Sequence, residues 1–480
     1  MPQKISASLQ ENLAYLQNNF AASDDFYTKP LQISGICCAV AMFTGVSSAE
    51  RLCRLALDML DRDPAVWQGG AGLCRYLLQQ SRIPAEPTPA EDWQSAAEFL
   101  SNGMTLLFIE GFAGAVVLST QDMPGRSVGT PLGEGNLRGA QDAFTEHLRS
   151  NLSLLRRQFR SGTLVAEIAT ARCRAKTEYC LCYDRTLAPP ELVDALRQKL
   201  AEIEIPILLD SAYFASFFKQ DKLNLFPAAA YTERPATVCA RLCEGKLAVL
   251  VAGSPYALVI PGFFAEHFEC LDDYSSGAVF AGLIRLLKYL AFLLAVFAPG
   301  LYVMSVAFTP EIIPLQLLAK LAQGEQATPL PPMLEMLGVT LLLEIVREAG
   351  LRAPQSISHT VSLVGALILG ETAVSAGILS VPILITAAAA TIATLAVPSL
   401  YEQTILFRFA VILLAGCFGV PGLAAAAVTV LAMACGSEPF GYDYLYPLMP
   451  PGPAAWRDGF VRSIWSRLAR AGEVIGRDEA

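Results

Sequence analysis

The side chains best placed to do chemistry in this 480-residue chain are a few set in apolar surroundings. Residues 356–377 read SISHTVSLVGALILGETAVSAG, and Glu371 is the only acidic residue in the run. A carboxylate inside an apolar helix generally faces a bundle interior or an aqueous path; near the interface it would be solvated or paired instead. Val361, Val364 and Ile368 lie three and four residues apart and so share one helical face. Such a stripe can form a hydrophobic constriction that closes by dewetting where copies converge, or it can pack against neighbouring helices. Periodicity alone does not separate pore from core. Glu371 lies one turn from Leu367 on a neighbouring stripe and could supply a cation-attracting group at one mouth.

Other chemistries find little support. The twelve cysteines include no CxxC pair, and only His147, His267 and His359 could assist in holding a metal. They read as small buried hydrophobes in a reducing compartment, and neither a metal nor a cofactor is expected. There is no phosphate-cradling GxxxxGK[ST] and no GxSxG elbow, so an enzyme is not expected. A net charge of −9 without a Lys/Arg block offers nucleic acid no footprint.

The apolar elements that would position these groups fall in the last third. Hydrophobic residues make up 53% of the chain and charged ones 16%, richer in apolar side chains than a typical soluble protein. Residues 282–307, 357–377, 380–398 and 405–435 are apolar. At 1.5 Å rise per residue the first can cross about 30 Å of hydrocarbon. Pro299 and Pro314 read as breaks around the loop that follows. Residues 332–350 carry Glu335, Glu344, Arg347 and Glu348, which suits a helix at the interface or packed inside a complex, with Glu344 and Arg347 paired at i,i+3. The tract 405–435 is too long for one untilted span, and Gly419-Val420-Pro421-Gly422 should divide it into a hairpin or a kinked helix. The amino terminus lacks a signal peptide's apolar core, and the tail carries Arg457, Arg462, Arg467, Arg470 and Arg477. Both ends are therefore expected in the cytoplasm, which requires an even number of spans.

The part before residue 277 contains a repeat. A strand at 35–43 and a helix at 47–61 are followed by strand runs at 104–110 and 113–119. A strand at 178–183 and a helix at 190–203 are followed by 247–251 and 256–260. Cys38 to Cys180 and Gly111 to Gly253 are both offset by about 142 residues. Between the copies, residues 139–161 put Phe144, Leu148, Leu152, Leu155 and Phe159 on one helical face, with arginines on much of the rest. The basic side could grip a partner subunit or anionic headgroups, or be a solvated face. The expected architecture is an α/β soluble domain of two similar subdomains followed by an all-α polytopic membrane domain of four to six spans. The expected divisions are 1–135, a connector helix at 136–162, 163–273, a membrane part at 277–436 and a tail at 437–480.

Over nearly the whole chain, and most strongly from Arg138 onward, the sequence resembles the A-subunit (GerA-type) proteins of bacterial spore germinant receptors. The residues that carry this are Phe144-Thr145-Glu146-His147-Leu148-Arg149, Arg156-Arg157, Thr232-Glu233-Arg234-Pro235, Pro299 with Leu301-Tyr302, Pro310-Glu311 with Ile313-Pro314, Arg347-Glu348-Ala349-Gly350 and Val364-Gly365-Ala366-Leu367. Two positions depart from the pattern: Thr309 stands where relatives commonly have His, and Glu371 where they commonly have Gln. The tail Tyr444-Leu445-Tyr446-Pro447-Leu448-Met449-Pro450 is close to that of a stage-V sporulation paralogue associated with the dipicolinate channel.

The resemblance implies a subunit of a spore inner-membrane complex that forms a ring-like homo-oligomer and an ion channel releasing cations on nutrient signalling. Its implied partners are a transporter-like B subunit, a lipoprotein C subunit and membrane lipid. Arg156, Arg157, Glu233, Arg234, Pro310 and Glu311, which match family motifs, are candidates for subunit contact or coupling. The alternatives are the stage-V paralogue and a non-conducting scaffold. A solute carrier is disfavoured, because four to six spans leave little room for two repeated halves.

Overall fold

The computed structural model of the chain describes residues 4–20, 22–33, 35–48, 69–79, 87–121, 134–135, 139–218, 224–316, 318, 328–352, 372–449 and 458–468. They gather into two compact units: residues 1–219 with 228–262, and residues 220–227 with 263–468, the final residues 469–480 being grouped with the first.

The first unit holds two five-stranded antiparallel sheets. The first copy comprises α1 (Leu9–Phe20), β1 (Phe26–Ile33), β2 (Ile36–Phe43), α2 (Gly69–Gln79), β3 (Thr88–Ala90), α3 (Trp93–Ser101), β4 (Thr105–Ile109) and β5 (Ala115–Leu118). The second comprises α4 (Leu148–Gln158), β6 (Leu164–Thr170), β7 (Glu178–Asp184), α5 (Pro190–Glu202), α6 (Ala212–Phe218), β8 (Ala230–Thr232), α7 (Pro235–Cys243), β9 (Leu247–Val251) and β10 (Ala257–Ile260). Strand orders are β1-β2-β4-β5-β3 and β6-β7-β9-β10-β8, the same path drawn twice. Gly111 and Gly253 sit at the same hairpin turn with φ of +82° and +93°, a left-handed backbone that glycine adopts at no steric cost. Most of the expected helix at 47–61 lies outside the described residues.

Alternation along the strands explains why they read as continuous apolar runs. In β4, Leu106 and Phe108 join the core under α1 and α3, while Leu107 and Ile109 face α2. A strand covered on both sides has no polar face. The segment between the copies differs from expectation, because among its described residues only Leu148–Gln158 is helical. Phe144, Leu148, Leu152 and Leu155 are buried in the core of the second sheet, with Val238 and Leu242 of α7. Helix α4 is thus to the second sheet what α1 is to the first. Each helix is entered the same way. Asn12 accepts from the Ser6 amide and donates to the Ser6 carbonyl (3.1 and 2.7 Å), and Asn151 does the same with Thr145 (2.7 and 2.5 Å).

The second unit is helical: α8 (Leu271–Ser275), α9 (Ala278–Ala307), α10 (Pro332–Arg352), α11 (Val381–Thr394), α12 (Tyr401–Phe418) and α13 (Val420–Cys435). Among the described residues two helical stretches, Ala278–Ala307 and Pro398–Phe418, are long and apolar enough to cross a membrane, where four to six were expected. Helices α11 and α13 are apolar but have only 14 and 16 residues.

The tract 405–435 is divided where its sequence indicates. Gly419 has φ +62° and separates α12 from α13. A Cβ on Gly422 would lie 1.9 Å from the Leu414 carbonyl oxygen, so the two helices meet closely at the turn. Asn224 donates to the Met433 carbonyl (2.9 Å) and Gln403 to the Leu225 carbonyl (3.2 Å). The far ends of α12 and α13 therefore reach the same short segment, and the pair is an antiparallel hairpin.

Pro299 is a correction. Helix α9 runs through it without interruption, for a reason found in the site below.

Candidate functional site

Helix α12 presents Arg408 to the interior of the helical unit, where it is fully buried. Proline has no amide hydrogen, so Pro299 leaves the Ala295 carbonyl without its helical partner. Arg408 Nε donates to that carbonyl at 2.8 Å. Its Nη2 donates to the Ala390 carbonyl at 2.9 Å and to the Thr394 hydroxyl. Its Nη1 lies 3.7 Å from the Glu344 carboxylate. One guanidinium thus joins α9, α10, α11 and α12. Glu344 also accepts from Arg347 (3.1 Å), the pairing expected at i,i+3, and from the Tyr401 hydroxyl. The Arg347 guanidinium stacks 3.7 Å from the Tyr401 ring centre. The planar fork of arginine suits this arrangement, since it can serve several acceptors at once.

A second buried arginine anchors the start of α9. Arg285 is fully enclosed and paired with Asp458 (3.0 Å), Asp273 (3.2 Å) and Glu269 (3.7 Å). Charge therefore lies inside this unit, while the exposed side of α9 is apolar. Phe280, Leu283, Leu287, Leu290, Leu294 and Leu301 of α9 are all exposed.

In the first unit the structure brings several motif residues together. Arg156 is buried between the two copies. It donates to both Asp25 carboxylate oxygens (2.9 and 2.7 Å), to the Ser23 hydroxyl (2.8 Å) and to the Leu164 carbonyl (2.8 Å), and its guanidinium lies 4.0 Å from the Phe43 ring centre. Its role here is to couple the copies, and it forms no part of an exposed basic face. Its neighbour Arg157 is half-buried and donates to Asp142. Arg234 donates to the carbonyls of Ala140 (2.7 Å) and Glu134. The Glu134 carboxylate in turn accepts from the Glu233 amide (3.0 Å) and the Thr232 hydroxyl (3.1 Å). The Phe144 amide donates to the Glu233 carbonyl at 2.8 Å. The Thr-Glu-Arg-Pro turn thus clamps the chain that leads into α4, and Pro235 opens α7 at a position where its missing amide costs nothing. A hydrogen bond to Glu233, with burial, pushes the Tyr256 phenol up to about 12.

Pro310 and Glu311 lie on an exposed turn after α9. Val361, Val364, Ile368 and Glu371 lie outside the described residues. The cysteines divide: Cys38, Cys74, Cys180 and Cys182 are buried, whereas Cys37, Cys243, Cys417 and Cys435 are exposed, contrary to the expectation that all are buried. Burial pushes the Cys38 thiol up to about 12, which makes it inert. The residue sequence reasoning passed over is Arg408. Its signal was present, a lone arginine in the run ILFRFAVILL.

The family model described as Bacillus/Clostridium GerA spore germination protein matches residues 14–473, and the chain belongs to that family. It is 30% identical over 485 residues to spore germination protein KA of Bacillus subtilis, a match covering 100% of this chain and 88% of that protein. It is 25% identical over 387 residues to stage V sporulation protein AF of Bacillus subtilis, covering 79% and 78%. The crystal structure of the N-terminal domain of the A subunit of the Bacillus megaterium spore germinant receptor GerK3 matches 55% of this chain and 98% of that one, with 22% identity and a TM-score of 0.45.

Proposed function

We propose that this chain is a membrane subunit of a spore germination complex, and that copies of it assemble as a ring to form an ion channel that releases cations on nutrient signalling. The observation that carries the reading is the polarity of the helical unit: buried arginines and carboxylates inside, and an apolar stripe along α9 outside. A water-soluble fold is built the other way round, and ionisable groups facing a bundle interior are the membrane pattern. In this reading the unit sits in the spore inner membrane, with the first unit and the tail cytoplasmic. B-type transporter-like and C-type lipoprotein subunits are the partners, as its relatives' place among spore germination proteins suggests. Val361, Val364, Ile368 and Glu371 are the proposed ion path. Arg156, Arg157, Glu233, Arg234, Pro310 and Glu311 are the proposed coupling residues.

A second reading, assistance to the dipicolinate channel, is favoured by the likeness to the stage V protein. The longer match, at higher identity, to protein KA supports the receptor role over it. Spores of the native host lacking this chain separate the two. Loss of nutrient-triggered cation release with normal dipicolinate content supports the receptor subunit. Spores that fail to accumulate dipicolinate support the second reading, and spores normal in both respects contradict both.

A further inference from the structure

Helices α10 and α11 meet at a carboxylate that the network around Arg408 does not use. Glu335 is 1% exposed, in the first turn of α10. Its Oε1 accepts the backbone N–H of Ser380, the residue that caps the start of α11. Among the described residues its Oε2 has no partner, and neither has the buried hydroxyl of Ser380, the residue whose amide Oε1 accepts. No lysine or arginine lies within ion-pairing distance of Glu335 among the described residues.

The unpartnered atoms of this seam are all oxygens. Burying a carboxylate without a counter-charge is costly, and an unmatched buried hydroxyl adds to that cost. Oxygen donors are the ligands of hard cations. A single carboxylate with a neutral hydroxyl balances one positive charge. We infer that Glu335 Oε2 and the Ser380 hydroxyl form a binding site for a monovalent alkali cation between α10 and α11. The inference deepens the proposed reading of this unit as an ion path, by giving the permeating class of ion a resting place.

The test is thermal unfolding of the full chain in detergent at constant ionic strength, with sodium, potassium or N-methylglucamine chloride as the only salt. Wild-type protein should melt about 2–5 °C higher in one of the alkali salts than in N-methylglucamine. Glu335→Gln, which keeps the shape and removes the charge, should abolish that difference, and Ser380→Ala should reduce it. If Glu335→Gln does not fold, the wild type and Ser380→Ala still decide. No cation-specific shift in the wild type overturns the site and leaves the seam to ordered water. A shift that persists unchanged in the variants also overturns it. Cation flux in vesicles is read separately, so flux without a binding shift would sink this site and spare the channel, and the reverse would spare the site.

Discussion

Arg408 and Pro299 sit 109 positions apart and complete one hydrogen-bonding requirement between them. A proline inside a helix ordinarily costs the i−4 carbonyl its partner, and here Arg408 supplies one. Substituting Arg408→Gln leaves Glu344 short of a counter-charge and Ala295 without a donor, and should destabilise the full chain by about 3–5 kcal/mol. Arg408→Lys should not rescue it, because an ammonium lacks the fork that reaches several acceptors. Pro299→Ala returns an amide to Ala295, so the two substitutions should be non-additive in a double-mutant cycle read by thermal unfolding in detergent. Strict additivity would mean that the arginine does not serve the proline. Sequence reading takes Pro299 as a break because the compensating donor lies far along the chain. A lone arginine in an apolar run was legible as a special residue, but its acceptors were not, since they are backbone carbonyls of other helices.

Repetition is the element-scale feature most legible in the sequence. The equal offsets from Cys38 to Cys180 and from Gly111 to Gly253 marked strands that are buried on both sides and therefore continuously apolar. Strand β1 (FYTKPLQI) escaped notice because it is an edge strand, half-exposed, with a polar and proline-bearing sequence. The helical hairpin was legible from Gly419-Val420-Pro421-Gly422. Gly422→Ala should disrupt it, because the added methyl would meet the Leu414 carbonyl, and a melting temperature equal to wild type would count against that close approach. In the second sheet, Glu167 accepts from Tyr183 (2.7 Å) and from Arg197 (2.8 and 3.0 Å). Burial opposes its charge, but those bonds outweigh it and hold the carboxyl below its ordinary value. A depressed folded-state pKa stabilises above the unfolded pKa of about 4.3, and that support is lost as pH falls through the lower folded value. Glu167→Gln should therefore flatten the loss of stability on acidification below about pH 5, and an unchanged acid profile would show that the cluster contributes nothing.

At the scale of the whole molecule, Met1 to Gly262, expressed without residues 263–480, should be soluble and cooperatively folded. Each sheet has its own buried core, and Arg156 ties the two together. Arg156→Ala in that fragment should cost about 3–5 kcal/mol by leaving Asp25 buried and unpaired, measurable by denaturant unfolding. An unaltered midpoint would mean the copies are held by other contacts. The central claim, that copies of the helical unit form a cation path, is tested most directly by cation efflux from sealed vesicles carrying the purified full chain. Wild-type protein is expected to conduct above empty vesicles. Val364→Ala should raise the leak by widening a hydrophobic constriction, and Glu371→Gln should lower cation preference without loss of assembly. Efflux no greater than from empty vesicles, in wild type and both variants alike and with assembled protein shown by cross-linking, would contradict the account.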